Sequence, residues 1–320
     1  MTNVVLGIDI GGTNTVFGLV EKSGNILFKE EISTHGNKPA IHLINHMVES
    51  VNSFMKSTPQ IELIGVGVGA PNGNHFTGLI QNPPNFNWGQ VDIVSILSDK
   101  FSCKVKLTND ANAAALGEKR FGIAKDMMDF VMVTLGTGLG SGIISGGRIV
   151  YGDDGMAGEL GHLSIDQNGR LCSCGLKGCL EMYVSAKGMK ITVKGIKREF
   201  PDDPFLSSLN SDEIDGKMID QAVDNGSQTA KLLYVLTADK LAFGLAQAAS
   251  ILNPEAFIFY GGYSQAGDRL LDPTRKLLDT YLMDNLKGKI KLLASGLPHG
   301  QAGILGSAFL IWDSEINFKN

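Results

Sequence analysis

No stretch of this 320-residue chain reaches the roughly 18 uninterrupted apolar residues of a membrane-crossing helix. The opening residues, Met1-Thr2-Asn3-Val4, lack the basic and apolar segments of a secretion signal. The sequence therefore reads as cytoplasmic, with no membrane partner. No run of Lys and Arg is dense enough to form a basic face, and the formal charge is −5. Nucleic acid is therefore not an expected partner. Two common phosphate signatures are also missing. Without Gly-x-x-x-x-Gly-Lys-Ser/Thr the chain is not a P-loop protein, and without Gly-x-Gly-x-x-Gly after the first strand a dinucleotide fold is not expected. Charged residues are only 19% against 43% hydrophobic, a balance of compact soluble proteins rather than disordered ones. Cysteine is scarce, with four in all, and three of these fall in one short window, Cys172, Cys174 and Cys179. In a reducing compartment such a cluster reads as a metal site rather than a disulfide framework.

Glycine is abundant, at 40 residues, and it is clustered without a period, which places tight backbone at a few points. Domains of roughly 100–200 residues make two the expected number. Residues 4–10, 15–20 and 26–32 read as three strands joined by turns at Gly11-Gly12-Thr13-Asn14 and Lys22-Ser23-Gly24-Asn25, an antiparallel meander. A helix follows, with Ile41, Ile44, Val48, Val51 and Met55 on one stripe. Residues 61–68 and 105–108 read as buried strands, the second running into a helix near Asp110. The opening pattern then returns: a strand over 130–135, the turn Gly136-Thr137-Gly138-Leu139-Gly140, another strand, and Gly146-Gly147. Residues 201–216 read as an exposed loop. Helices are expected over 229–252, ended by Asn253-Pro254, over 268–286 and over 302–312. The repeated opening implies two α/β lobes with a cleft between them, residues 1–118 and 119–301. The terminal helix, about 302–320, is expected to return to the first lobe.

Five motifs carry candidate chemistry. Asp9-Ile10-Gly11-Gly12-Thr13-Asn14 reads either as a hairpin turn or as a loop whose backbone amides cradle phosphate, with Asp9 placed to hold Mg²⁺. Gly136-Thr137-Gly138-Leu139-Gly140-Ser141-Gly142 has more glycine than a hairpin needs, and its pairing with the first loop points to phosphates held from two sides. In Thr108-Asn109-Asp110-Ala111, Asp110 is either the N-cap of a helix or a general base for phosphoryl transfer. Asn109 beside it suits a neighbouring hydroxyl. His162, Cys172, Cys174 and Cys179 match the Cys₃His set of a structural zinc site. Glu159 and Glu181 flank it, either as surface acids or as acceptors for sugar hydroxyls. The loop Asn82-Pro83-Pro84-Asn85-Phe86-Asn87-Trp88 has amides and an aromatic ring suited to a sugar, and suited equally to an ordinary loop.

Together these motifs resemble the ROK family of sugar kinases and repressors, from Asp9 to Gly303-Ile304-Leu305-Gly306. The most specific part is Glu159…His162…Cys172-x-Cys174…Cys179-x-Glu181. The resemblance implies the actin-like ATPase (ribonuclease H-like) fold. It makes Asp110 the catalytic base, and Asn85, Asn109, Glu159, His162 and Glu181 the sugar contacts. Gly11, Gly12, Thr13, Asn14, Thr137 and Gly138 become phosphate contacts, and Gly261 and Gly262 part of the adenosine segment. ATP, Mg²⁺, structural Zn²⁺ and a hexose are then the ligands, and a homodimer or homotetramer the assembly. Pro84-Asn85-x-x-Trp88 resembles the family's glucokinases, so glucose phosphorylated at its 6-hydroxyl is the first expectation. Mannose, fructose and N-acetylhexosamines are competitors. The family's repressors carry a helix-turn-helix segment before the first phosphate motif, which begins here at residue 9 and leaves no room for one. A catalytically dead sensor is disfavoured because Asp110 and both phosphate loops are intact. Two departures stand out: Tyr263 replaces the third glycine of the adenosine segment, and Asn72 is added within Gly69-Ala70-Pro71-Asn72-Gly73.

Overall fold

Apolar, β-branched residues open the chain and form β1 (Thr2–Ile10), and two tight turns return it as β2 (Asn14–Glu21) and β3 (Ile26–Ser33). The structure, a computed structural model, describes every residue except 85, 211–212, 299 and 314–320. The three strands form the expected antiparallel meander. After α1 (Ala40–Ser57), β4 (Ile61–Ala70) adds in parallel to the other side of β1. A small ribbon follows, β5 (Leu79–Gln81) with β6 (Gln90–Asp92), and then α2 (Ile93–Phe101). β7 (Lys104–Asn109) completes the sheet in the order β3-β2-β1-β4-β7 and runs straight into α3 (Asp110–Phe121). The buried face of α1 differs from the stripe read in the sequence. It carries Ala40, Leu43, Ile44, Met47 and Val51, while Ile41 is exposed. Both stripes share Ile44 and Val51, but the true one is rotated by about one residue, so that Leu43 and Met47 fill the core.

The chain divides into two compact units. The first holds residues 1–128, 142–158 and the chain from Ser295 onward, and the second holds 129–141 and 159–294. This division differs from the one expected near residue 118, because 142–158 belongs to the first unit and not to the second. Within the first unit, buried Asn74 ties the returning segment down. Its Nδ2 donates to the Asp154 carbonyl at 2.6 Å, and its Oδ1 accepts from the amides of Phe76 and Thr77. His75 stacks on Tyr151 with ring centroids 4.1 Å apart.

β8 (Phe130–Leu135), β9 (Leu139–Ser145), β10 (Arg148–Ile149), β11 (Ala256–Tyr260) and β12 (Lys291–Ala294) form a sheet in the order β10-β9-β8-β11-β12. β8, β11 and β12 are parallel. A strand, its hairpin neighbours on one side and two parallel strands on the other is the order of the first sheet too. The second unit contains β8, β11 and β12 of this sheet and α4 (Glu181–Val184), α5 (Ala186–Glu199), α6 (Pro204–Ser208), α7 (Gly216–Asp224), α8 (Gln228–Leu252) and α9 (Asp268–Tyr281). α8 is long and apolar enough to cross a membrane by length and composition, yet half of its apolar window is buried inside the unit. It ends as expected at Asn253, which adopts the left-handed conformation at φ 43°. The segment read as a loop over 201–216 contains α6, and α7 begins at its end. Asp203 and Asp215 cap these helices through the amides of Leu206 and Met218. α9 stops at Tyr281, five residues before the expected end.

The final helix, α10 (Ala302–Asp313), packs against β1, β4 and α3 of the first unit. Glycine makes this approach possible. A Cβ at Gly7 would overlap the Ile304 carbonyl, one at Gly67 the Ser307 carbonyl, and one at Gly306 the Ala113 carbonyl. Fully buried Glu118 secures the far end of α3. It accepts from the Ile123 amide at 2.8 Å, the Gly296 amide at 3.0 Å and the Ser295 hydroxyl at 2.5 Å. A matched pair of substitutions tests the helix approach. In a helix interior Gly→Ala normally stabilises by about 0.5–1 kcal/mol. Gly195→Ala, in α5 with open space around it, is expected to show that gain in urea unfolding. Gly306→Ala is expected to lose about 3 kcal/mol, because backbone must move to admit the methyl.

Candidate active site

The site residues of the first unit sit at the carboxyl ends of adjacent parallel strands, where open α/β sheets bind ligands. Asp9 is one residue from the end of β1 and pairs with Gly69 of β4, which in turn pairs with Thr108 of β7. The next step along β7 is Asn109, and then α3 begins with Asp110. Asn109, not Asp110, is the N-cap of α3. Its Oδ1 accepts from the Ala111 amide at 2.9 Å, an amide that Asp110 Oδ1 also approaches at 2.9 Å. The helix start therefore does not depend on Asp110, whose carboxylate is favoured there by the helix dipole.

Asp9 is crowded. A Cβ on Gly303 would overlap its carboxylate, so only glycine fits at the start of α10. Burial, reinforced by the like charge of Asp110, pushes its carboxyl up from 3.8 to about 7. The native state then keeps a proton that the unfolded chain has already released, so stability falls as the pH rises. Asp9's contribution is intact below the ordinary carboxylate pKa, shrinks from about pH 4 upward, and is gone above about pH 7. The full shift is worth about 4 kcal/mol. Asp9 retains some solvent contact, so a smaller effect is expected. In urea unfolding without divalent ions, Asp9→Asn is expected to match the wild type near pH 4 and exceed it by about 1–3 kcal/mol at pH 8. Equal curves at both pH values would remove the buried-charge assignment.

The turn after β1 is closed by the Gly11 amide donating to the Asn14 carbonyl at 2.9 Å, and by the Thr34 hydroxyl donating to the Gly11 carbonyl at 2.8 Å. Gly12 and Thr13 are exposed at its tip. The side-chain amide of Asn14 donates to Glu31 at 2.7 Å and so holds the turn. In the second unit, Thr134 at the end of β8 pairs with Tyr260 at the end of β11. The turns Gly136-Thr137-Gly138 and Gly261-Gly262 are therefore neighbours. Gly261, at φ 107°, needs glycine, and a Cβ there would overlap the Leu135 carbonyl. Gly12, Gly136 and Gly262 differ. None has positive φ, and a Cβ on any of them would meet nothing within 4 Å. Neither backbone conformation nor packing demands glycine at these three positions, and each leaves open space beside the main chain.

Glu181 opens α4 and reaches the second Gly/Thr turn, where its Oε2 accepts from the Leu139 amide at 2.9 Å. Gly138 passes so close to this carboxylate that a Cβ would lie 2.5 Å from it. His162 ends a short 3₁₀ turn that begins at Leu160, packed on β9 where Gly161 leaves no space for a side chain. Its Nε2 lies 3.8 Å from Glu159 Oε2. The packed part of Glu159 raises its carboxyl above the ordinary value, with His162 opposing and Glu181 adding. Its side chain is 48% exposed, which keeps the effect small.

The other ring nitrogen of His162 faces the cysteines: Nδ1 is 3.8 Å from Cys172 Sγ, and Cys174 Sγ is 3.6 Å from Cys179 Sγ. All four ligand atoms lie within 4.8 Å of one another. Zinc–sulfur bonds of about 2.3 Å in a tetrahedron set ligand atoms about 3.6–3.8 Å apart, so the donor set fits such an ion. Without a metal, burial and the neighbouring Cys174 and Cys172 push the Cys179 thiol up to about 12. Metal binding must displace that proton, which makes affinity rise with pH.

Trp88 is turned to holding its loop. The indole Nε1 donates to the Lys38 carbonyl at 2.9 Å and the ring packs on Phe86 at 4.5 Å. Asn85 lies outside the described residues. Sequence reasoning missed three buried polar atoms around β7 and α3. Thr108 Oγ1, Asn112 Oδ1 and Ser307 Oγ have no partner among the described residues, and Ser307 Oγ lies 3.0 Å from the place of a Cβ on Gly69. A polar residue on each side of Asn109-Asp110 was the available signal for the first two.

A glucokinase from Thermotoga maritima is 34% identical over 310 residues, covering 96% of each chain. A xylose repressor from Caldicellulosiruptor bescii is 31% identical over 278 residues, covering 86% of this chain and 70% of the repressor. The solved structure of a ROK family glucokinase from Streptomyces griseus, in complex with glucose and AMPPNP, matches with a TM-score of 0.81 at 32% identity. That match covers 96% of this chain and 98% of the other. The fold is the actin-like ATPase fold. The profile of the ROK family matches residues 5–314, and the chain belongs to that family.

Proposed function

We infer that this sugar kinase moves the γ-phosphoryl group of ATP to the 6-hydroxyl of a hexose, with glucose the preferred acceptor. The observation that carries the reading is the pair Asp9 and Asp110 at the ends of β1 and β7, with the helix cap supplied by Asn109 instead of Asp110. Phosphoryl transfer asks little covalent help of a protein; it asks for in-line positioning, charge neutralisation and an acceptor for the nucleophile's proton. Asp110 takes that proton as the sugar oxygen bonds to the γ-phosphorus and the bridge to the β-phosphate breaks. Gly11, Gly12, Thr13, Asn14, Thr137 and Gly138 are the proposed phosphate contacts. Gly261 and Gly262 let adenosine approach the backbone. Mg²⁺ near Asp9 neutralises charge on the phosphates when bound.

Asn85, Asn109, Glu159, His162 and Glu181 are the proposed sugar contacts. Zn²⁺ is the proposed occupant of His162, Cys172, Cys174 and Cys179. Four protein ligands close its shell, so it orients His162 and leaves the reaction to other groups. Glucose is supported by Pro84-Asn85-x-x-Trp88 and by the glucokinases among the relatives. The test is ADP release with Mg·ATP and, in turn, glucose, mannose, fructose, glucosamine, N-acetylglucosamine and N-acetylmannosamine, against a blank without sugar. Strongest turnover with glucose is expected. A stronger response to another hexose would replace the acceptor, and a rate equal to the blank throughout would overturn the kinase reading for these sugars.

A further inference from the structure

Between His162 and Glu181 the chain folds back on itself as a narrow ribbon. The Ile165 amide donates to the Gly178 carbonyl at 2.9 Å, Gly178 to Arg170 at 2.8 Å, and Cys172 to Leu176 at 2.8 Å. Cys172 and Cys174 lie toward the tip of this ribbon, and Cys179 leads directly into α4 and Glu181. So short a ribbon has little core of its own, and something must fix it to the body of the unit.

Arg170 makes that connection. Its guanidinium lies over the Tyr183 ring, 4.5 Å from the centroid. Nη1 donates to the carbonyls of Met182 at 2.6 Å and Gly188 at 3.0 Å, and Nη2 donates to the Thr192 hydroxyl at 2.9 Å. The main chain joins in, since the Arg170 amide donates to the Tyr183 hydroxyl at 3.1 Å. One side chain therefore gathers the ribbon, the Met182 carbonyl of the one-turn helix α4 and the first two turns of α5. All three acceptors are neutral, and no carboxylate pairs with the guanidinium among the described residues. Burying a cation without a paired charge is a cost that an ion pair would normally offset. A divalent ion bound by three thiolates and a neutral imidazole carries one net negative charge, and a cation fixed in the same ribbon complements it. Lys cannot replace this contact, because only the planar fork reaches several acceptors at once while stacking on a ring.

We propose that Arg170 is a positioning residue that locks the Cys/His ribbon onto α4, so that metal held by the ribbon fixes Glu181 for the sugar. The proposal rests on the zinc and sugar assignments above. The test compares wild type, Arg170→Lys and Thr192→Val in two readouts. One is the rate at which zinc passes to a chromogenic chelator, and the other is the KM for glucose set against the KM for ATP. Arg170→Lys is expected to release zinc about 10-fold faster and to raise the glucose KM several-fold, with the ATP KM within about twofold of wild type. Added zinc should recover part of the glucose KM. Thr192→Val, which removes one acceptor and keeps the cation, should fall between the two, and it serves alone if Arg170→Lys does not fold. If wild type binds zinc and turns over glucose, but both variants match it in release rate and KM, the proposal is overturned. The same holds if both KM values rise together. Wild-type protein without zinc or without sugar-dependent turnover would overturn the functional reading first, and this proposal with it.

Discussion

Replacing Asp110 with Asn is expected to lower kcat by about 10²- to 10⁴-fold, the usual worth of a positioned general base, while sugar affinity and folding stability stay near those of the wild type. Stability should hold because Asn109 supplies the cap of α3 and the Ala111 amide keeps that partner. Asparagine has nearly the shape of aspartate and keeps an acceptor at the same place, so the sugar hydroxyl still has a hydrogen-bond partner. What is lost is the group that can take its proton. A second effect accompanies the first: without the Asp110 charge, the Asp9 carboxyl loses part of its upward shift, and the pH dependence of stability flattens slightly. Calorimetric sugar titration, urea unfolding and steady-state turnover on one preparation separate these effects. A variant that turned over within a few-fold of the wild-type rate would remove Asp110 as the base. One that lost stability and sugar binding together would make it a structural residue.

Replacing Cys179 with Ser is expected to abolish binding of one zinc ion per chain and to raise the glucose KM at least 10-fold, with a smaller change in the ATP KM. Cys179 is fully buried and sits two residues before Glu181, so loss of its bond to metal is felt at once by α4. Second-sphere losses around metal sites typically cost about 10- to 100-fold, and loss of a ligand should be at least as severe. The binding free energy of a structural zinc ion is in part folding free energy, so a Tm fall of several degrees should accompany it. Metal analysis together with KM for both substrates checks the prediction. Full activity and an unchanged glucose KM in a zinc-free variant would show that the ribbon holds its shape without metal.

Elements with a local cause were legible in the sequence. The meander follows from apolar runs punctuated by Gly-Gly and Ser-Gly-Asn, and its return in the second sheet was visible as a repeated strand–turn–strand. The Cys/His cluster was legible because its members are close in sequence, and the structure draws their ligand atoms together. What depends on long-range packing was not. The stripe of α1 was placed one residue off, since Ile41 and Leu43 are equally apolar and only contact with the sheet distinguishes them. Gly7, Gly67 and Gly306 read as ordinary glycines until α10 was seen crossing β1, β4 and α3. Thr108 and Asn112 beside Asp110 were within reach of a closer reading, as were the Asp203-Pro204 and Asp215 caps of α6 and α7. The three-way grip of Arg170 was not, because its acceptors are mostly backbone carbonyls that carry no sequence signature.

The most direct test of the central claim follows phosphorus from ATP in the presence of glucose by ³¹P NMR, with 6-deoxyglucose and Asp110→Asn as controls. The account predicts ADP and a sugar monophosphate in equal amounts, with the phosphorus coupled to the two C6 protons, no ester from 6-deoxyglucose, and ester formed by Asp110→Asn at least about 100-fold more slowly than by the wild type. ADP and free phosphate formed at the same rate with or without sugar, or an ester that still forms with 6-deoxyglucose, would contradict it.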